Sequence, residues 1–397
     1  MKIAILSSLW EPQGYGGAER VAQGVAESLA AQGHEVHAIC LGPSGRGQEA
    51  RLNSVQVHYR PLRNLYWPFP VAAAPSLAKV AWHAIDAHNF AMARMTGELL
   101  DEIRPDLVNT HNIAGFSAAI WPAVSQRGLP LIHTLHDHYL FCPYSTMFKD
   151  GENCARPCLA CRVATVPRRA MTHHVDAVIG VSRFILDRHL RDGLFPEAHA
   201  SVVYNGYDAP DGPPGAGARA AGGPLRVGYM GGLVTNKGLD RLLDAYLELP
   251  QGAAELRIAG AGDARFADPL KARSASRQDV HWRGVVRPED FMPELDVLVV
   301  PSRVHEAMGR VVVEAFAHGV PVIAARRGGI PELFRGDCGW LYEPDDRAQL
   351  PGILKQILGQ RGELAAKRAA ARSAAGHFSR AAMIAGYLAA YREAAAR

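Results

Sequence analysis

Glu306 and Glu314 lie eight positions apart in the stretch Pro301-Ser302-Arg303-Val304-His305-Glu306-Ala307-Met308-Gly309-Arg310-Val311-Val312-Val313-Glu314-Ala315. Two carboxylates at a set spacing can act as acid and base, or they can grip the hydroxyls of one ligand. Along a helix, eight residues at roughly 1.5 Å each span about 12 Å. A retaining glycosidase pair needs about 5–5.5 Å, so hydroxyl binding suits the spacing better. Gly309 precedes the helical run that begins at Arg310. A helix N-terminus offers free N–H groups and a partial positive charge suited to phosphate, and a glycine there lets a ligand come close to the backbone. By itself the pair reads equally well as two surface glutamates flanking a buried helix. Two further turns point the same way. Gly231-Gly232 is followed by Lys237-Gly238, and a lysine in a βα turn can meet a diphosphate as a point charge. Taken singly, Lys237 reads as a solvated lysine at a helix start. Gly328-Gly329-Ile330-Pro331-Glu332 is a glycine turn into a helix with Pro331 at its first position, or else an ordinary βα turn.

These loops need a scaffold. Lys2–Leu6 reads as a short buried strand. It runs into Gly14-Tyr15-Gly16-Gly17, a helical pattern over 18–31 closed by Gly33, and a second strand over 36–40. This is a βαβ unit with a glycine-rich first turn, the start of a doubly wound sheet. Apolar runs at Leu107-Val108, Leu131-Ile132, Ala177-Val178-Ile179 and Val202-Val203 follow, separated by helical stretches such as 71–100. Residues 209–224 are rich in glycine and proline without an apolar period and read as a linker. The rhythm then restarts with a strand at Leu225–Met230, a helix over 238–249, and strands at 256–259, Val297–Val300 and 321–323. The expected class is α/β, with two Rossmann-like domains facing each other across a deep cleft. The first spans 1–208 and the second 225–378, and a C-terminal helix over 379–397 returns to the first. Glu306 thus follows a strand at the carboxyl edge, where open α/β sheets bind ligands.

The 397 residues suit two or three domains. With 48% hydrophobic and 21% charged residues the composition is that of a globular protein, which excludes disorder, collagen and a simple coiled coil. The net charge of +4 is spread along the chain in short basic runs such as Arg168-Arg169 and Arg326-Arg327, so no nucleic-acid partner is expected. No apolar run nears the roughly 18 residues of a membrane span. Met1 to Ser8 carries one positive charge and a very short apolar run, so no signal peptide is expected. The expected location is the cytoplasm, where cysteines stay reduced, with peripheral contact at the inner face of the membrane as an addition.

With these residues assembled, the chain resembles the retaining glycosyltransferases of family 4, which have the GT-B fold. The family's Glu-x7-Glu signature is matched by Glu306 and Glu314, inside a frame that ends at Gly319 to Val322. Lys237, Gly238 and Asp240 match its Lys-Gly-x-Asp element, Gly16 to Arg20 its Gly-Gly-Ala-Glu-Arg element, and Asn205, Gly206 and Asp208 its Asn-Gly-x-Asp element. The resemblance implies transfer of a sugar, with retention, from a UDP- or GDP-sugar donor to a saccharide or lipid-linked saccharide acceptor. It implies that Lys237 neutralises the leaving diphosphate. Glu306 and the backbone of Gly309, Arg310 and Val311 would hold the donor sugar and phosphates. Glu314 would bind the ribose, and Val285, after Gly284, would contact the base. His111 matches a histidine near the transferred sugar, although a satisfied histidine at a strand end is the plainer reading. Gly16 and Gly17 would bring a helix N-terminus to the reaction centre. No Asp-x-Asp motif is present, so no metal or other cofactor is expected in the chemistry. The leaving phosphate is the leading candidate for the base, ahead of Asp137. One departure stands out: the family carries an arginine where this chain has Gly232, and Arg303, Arg310 and Arg326 are the candidates to replace it.

Cys142, Cys154, Cys158 and Cys161 fall within twenty residues. Closely spaced thiols suit a structural zinc; reduced packed cysteines and disulfides are the other readings. For the acceptor, Tyr66, Trp67 and Phe69 in 63–71 and the basic stretch 162–169 suit docking of a lipid-linked acceptor at a membrane surface, or equally core aromatics and a solvated loop. Two further alternatives remain: a catalytically silent GT-B scaffold, and a GT-B enzyme that uses free phosphate.

Overall fold

The computed structural model describes residues 1–13, 16–43, 45, 47–69, 75–208 and 223–396. The expected linker lies outside the described residues except for Gly223 and Pro224, as do Gly14, Tyr15 and residues 71–74 at the head of the stretch expected to be helical over 71–100. The chain divides into two compact units. One is Met1–Met147 with Cys154–Tyr204 and Met383–Arg397; the other is Phe148–Asn153 with Asn205–Ala382.

The first unit is built on an eight-stranded sheet. Its strands are β1 (Lys2–Leu6), β2 (Glu35–Gly42), β3 (Gln48–Leu52), β4 (Val55–Pro61), β5 (Leu107–Thr110) and β6 (Leu131–Leu135). After the small hairpin β7 (Phe148–Lys149) and β8 (Glu152–Asn153), which belongs to the second unit, come β9 (Ala177–Gly180) and β10 (His199–Val202). The order is β10-β9-β6-β5-β1-β2-β4-β3, all parallel except β3. The inner strands β1, β5, β6 and β9 are buried on both faces, as in a covered parallel sheet. The helices are α1 (Gly17–Ala31), α2 (Ser76–Ala87), α3 (Phe90–Ile103), α4 (Ile120–Ser125), α5 (Leu159–Ala170) and α6 (Arg183–Arg191). Val21, Ala22, Val25, Ala26 and Leu29 of α1 form the stripe that packs into the core. The helical stretch expected to end at 100 breaks at Asn89, whose backbone is extended and whose side chain accepts from the Met92 N–H as the cap of α3.

The second unit carries β11 (Leu225–Met230), β12 (Ala254–Ala259), β13 (Val280–Gly284), β14 (Val297–Val300), β15 (Val322–Ala325) and β16 (Gly339–Tyr342). All are parallel, in the order β13-β12-β11-β14-β15-β16. Numbered within the unit this is 3-2-1-4-5-6, the order of the dinucleotide-binding fold. Its helices are α7 (Leu239–Leu247), α8 (Ala264–Ser274), α9 (Pro288–Phe291), α10 (Arg310–Ala317), α11 (Gln349–Gly359) and α12 (Glu363–Ala375). Leu239, Leu242, Leu243 and Tyr246 place one face of α7 in the core. The last helix, α13 (Arg380–Ala395), contributes Met383, Ile384, Tyr387 and Tyr391 to the core of the first unit.

Candidate functional site

In the second unit the connections from β11 and β14 leave the sheet on opposite sides. That opens a crevice beyond their carboxyl ends, the usual ligand position in such sheets. The loop after β11 forms one 3-10 turn, Thr235–Lys237, and reverses at Gly238 with φ of 72°. A Cβ at Gly238 would sit 1.9 Å from the Pro301 carbonyl oxygen, so only glycine lets the two loops lie this close. The result joins Lys237 to Glu306. Lys237 Nζ donates to Glu306 Oε1 at 2.7 Å and to Oε2 at 3.0 Å, and the Ser302 hydroxyl donates to Oε1 at 2.7 Å. Burial alone would push the Glu306 carboxyl up; the Lys237 ammonium and the Ser302 hydroxyl outweigh it and hold the group below the ordinary carboxylate range. The Lys237 side chain stays 34% exposed, so its charge can be reached by a ligand.

The backbone around Glu306 is held from three sides. The Asn236 carbonyl accepts from the N–H groups of Arg303 and Val304 at 2.9 and 3.1 Å. Gly329 N donates to the Glu306 carbonyl at 2.8 Å, and a Cβ on Gly328 would meet that carbonyl at 2.0 Å. Asn153 of the β7–β8 hairpin donates through Nδ2 to the Arg303 carbonyl at 2.7 Å and accepts through Oδ1 from His305 N at 2.8 Å. Sequence reasoning assigned no role to Ser302, Asn236 or Asn153. Ser302 stood beside the signature, whereas nothing local marked Asn153.

Gly309, at φ of 94°, caps α10 without a side-chain bond, so the first N–H groups of that helix have no side-chain cap. Arg310 and Val311 open the helix. One turn on, Glu314 is buried and accepts from Arg310 Nε at 2.7 Å. Val285 follows Gly284 and is 75% exposed. Each arginine offered in place of an arginine at Gly232 has a carboxylate partner: Arg303 with Asp240 at 3.6 Å, Arg310 with Glu314, and Arg326 with Glu343 at 3.1 Å.

The first unit has its own divergence point, between β1 and β5. Gly16 caps α1 with no side-chain bond, and the Glu19 carboxylate lies against it, within 2.0 Å of where a Cβ on Gly16 would be. A Cβ at Gly17 would meet nothing within 4 Å, so sterics do not require that glycine. His111 follows β5 and its N–H donates to the Leu6 carbonyl at 2.8 Å. Its ring is buried, stacked between His136 and Tyr387 at 5.1 and 6.0 Å, with Nδ1 2.9 Å from His136 Nε2. The other nitrogen, Nε2, is buried with no hydrogen-bond partner. Burial holds His111 well below the usual imidazole range, and His136 down to about 4. Asp137, beside them, is pushed up to about 6 by burial and by Glu19, against the hydrogen bond from Tyr139 N.

Gly16, Gly17 and His111 therefore belong to the first unit, and Lys237, Val285, Glu306, Gly309, Arg310, Val311 and Glu314 to the second. Zinc binding is one expectation for the four cysteines. Among the described residues no group of three or more His, Cys, Asp or Glu is placed to hold a metal ion. Cys142 is buried, Cys154 and Cys161 half-buried, and Cys158 exposed, none of them in a disulfide. Burial, with hydrogen bonds from Cys158 and Cys142, pushes the Cys161 thiol up to about 12. The basic stretch 162–169 also needs correction. Arg168 does not face solvent: it is fully buried against Asp86 at 2.7 Å. Tyr66 packs against Trp82 with ring centroids 6.4 Å apart. No helix among the described residues is long and apolar enough to cross a membrane.

Comparison with known proteins agrees with this architecture. Residues 15–210 match the family described as Glycosyltransferase Family 4, and residues 224–360 match Glycosyl transferases group 1. An uncharacterized 42.6 kDa protein in the cps region of Klebsiella pneumoniae is 30% identical over 338 residues, 84% of this chain and 88% of that protein. The fold is similar to that of sucrose-phosphate synthase from Thermosynechococcus elongatus, at a TM-score of 0.78 and 19% identity over 99% of this chain and 98% of that one. It is also similar to Anabaena HepE in complex with UDP and glucose, at 0.73 and 19% over 98% of each. The chain is a member of the family 4 glycosyltransferases, with the GT-B fold.

Proposed function

We propose that this chain transfers a sugar, with retention of configuration, from a nucleoside-diphosphate sugar to a hydroxyl of a saccharide or lipid-linked saccharide. The observation that carries the reading is the Lys237–Glu306–Ser302 cluster at the divergence of β11 and β14, beside the uncapped start of α10. Lys237 supplies a cation for the leaving diphosphate, and the N–H groups at Gly309, Arg310 and Val311 supply donors for its oxygens. Glu306, held ionised, accepts hydroxyls of the donor sugar, and Glu314 those of the ribose. Val285 stands where the base would rest. In the first unit His111 offers a neutral imidazole to the transferred sugar. The departing phosphate takes the acceptor proton, with Asp137 as the lesser candidate. The absence of an Asp-x-Asp motif supports chemistry without a metal.

HepE binds UDP and glucose, and the Klebsiella relative lies in a cps region; both support a nucleotide-sugar donor and a role in making a cell-surface polysaccharide. One observation favours the silent-scaffold reading instead: Arg303, Arg310 and Arg326, the candidates to replace an arginine at Gly232, each have a carboxylate partner. The experiment is to incubate the protein with UDP- and GDP-sugars, with and without saccharide acceptors, following nucleotide release and the anomer formed. Acceptor-dependent release with a retained anomer is expected. Turnover only with free phosphate would replace transfer by phosphorolysis, and no turnover would favour the scaffold.

A further inference from the structure

Helices α2 and α5 of the first unit pack against each other with their polarity inverted. On α5 the inward positions are polar: Cys161 is half-buried, and Thr165 and Arg168 are fully buried. The outward positions are apolar: Leu159, Val163 and Val166 are 75%, 66% and 60% exposed. Positions 159, 163 and 166 form one stripe of a helix, the stripe that ordinarily faces a core. On α2 the pattern repeats, with Trp82 and Asp86 buried and Leu77 and Val80 85% and 66% exposed.

A buried ion pair fixes this arrangement. Arg168 Nη2 donates to Asp86 Oδ2 at 2.7 Å, the Tyr139 hydroxyl donates to the same oxygen at 2.9 Å, and Gly115 N donates to Oδ1 at 2.6 Å. Turning either stripe inward would break the pair and leave a charge buried without a partner. The apolar face continues into neighbouring segments. Exposed Tyr144 meets His83 of α2 at 5.3 Å, and exposed Leu65 precedes Tyr66, which meets Trp82. Seven of the ten large hydrophobic side chains exposed among the described residues lie on these segments. Scattered apolar residues on a surface are ordinary; a contiguous patch marks a covered surface.

The charges say what covers it. Helix α5 contains no acidic residue, and the one acid of α2 is the buried Asp86. Arg162 is exposed next to Val163, Arg63 is exposed near Leu65, and Lys79 is half-exposed next to Val80. A second copy of the chain would set these cations against one another. We propose that the α2–α5 face rests on a bilayer containing anionic lipid, its apolar stripe at the headgroup boundary and its cations among the lipid phosphates. This surface does not depend on the transfer reaction.

The test is co-sedimentation of the full chain with vesicles of phosphatidylcholine containing phosphatidylglycerol, and with vesicles of phosphatidylcholine alone. The wild type partitions onto the anionic vesicles, and high salt weakens it. Val163→Asp combined with Val166→Asp weakens partition by at least about tenfold with the thermal midpoint unchanged, and Arg162→Glu, which leaves the stripe intact, weakens it by several-fold. No partition by the wild type, or equal partition by the folded variants, overturns the proposal. So does a wild-type dimer in solution that the double variant splits, since that gives the face to a second copy.

Discussion

Each sheet has one point where its connections diverge, and the two points carry opposite chemistry. In the second unit the crevice beyond β11 and β14 holds a charged pair, Lys237 on Glu306 at 2.7 Å, with the lysine partly exposed. In the first unit the corresponding place, beyond β1 and β5, holds buried His111 against half-buried His136, both kept neutral. The same topology thus builds a centre that can meet an anion and one that can hydrogen-bond hydroxyls without adding charge. The difference lies in partners and burial: Lys237 and Ser302 hold the Glu306 carboxylate ionised, whereas an imidazole sealed among other rings gives up its proton.

The comparison breaks most readily at Lys237. Lys237→Ala is expected to lower kcat/KM by about 10²–10³-fold, the usual cost of losing a group aimed at developing charge, and Glu306→Gln by a similar or smaller factor. Steady-state kinetics with the preferred donor checks both, and near-wild-type turnover in either would remove the charged pair from the reaction. His111→Ala should lower kcat by about 10²-fold while leaving nucleotide affinity unchanged, because His111 belongs to the other unit. A loss of nucleotide affinity in that variant would contradict the division of labour.

Acid separates the two regions in another way. His133 and His189 are buried and His136 half-buried, with folded values of about 3, about 3 and about 4. Their unfolded value is near 6.5, so the unfolded chain binds more protons below that pH. The stability they contribute is present above about 6.5 and is lost as pH falls toward about 4, at up to about 1.4 kcal/mol per pH unit for each imidazole. Asp137, raised to about 6, works the other way: its contribution is present below about 3.8 and lost as pH rises through about 6. One carboxyl does not offset three imidazoles, so the first unit is expected to weaken between pH 6.5 and 4. Glu306 is lowered, and its contribution is lost only below about 4.5. Hydrogen exchange at pH 7 and 5 should show protection falling first in strands β5, β6 and β9; an equal fall in both units would count against this reading.

The smallest effect is expected at Asn153. Its two hydrogen bonds to the 303–305 segment are each worth about 0.5–1.5 kcal/mol, so Asn153→Ala should slow turnover by about 5–10-fold through the placement of Glu306. Asn153→Asp, which keeps the acceptor for His305 N, should recover part of the loss.

Lys237, Glu306 and Gly309 were legible in the sequence because glycine turns beside short apolar strands mark the carboxyl edge of a sheet, and the ligand loops are local to it. Asn153 was not, since it sits in a two-residue strand whose partner segment is about 150 positions away. Arg168 was misread for a related reason. A basic run ordinarily faces water, and only Asp86, 82 positions earlier, turns it inward. The cysteine spacing suggested a shared metal but says nothing about how differently the four side chains are buried. Strands β3 and β4 were not anticipated: β3 is a polar edge strand with exposed positions, paired antiparallel with β4 across a tight turn, so it shows no apolar run.

The most direct test of the charged centre is the thermal midpoint of the wild type and of Lys237→Ala against UDP, GDP and ADP. At about 100 times its dissociation constant the right nucleotide should stabilise the wild type by roughly 2.7 kcal/mol, a shift that Lys237→Ala largely loses. A wild type that responds to no nucleoside diphosphate, or a Lys237→Ala variant that responds equally, would contradict the assignment of the β11–β14 crevice as the donor site.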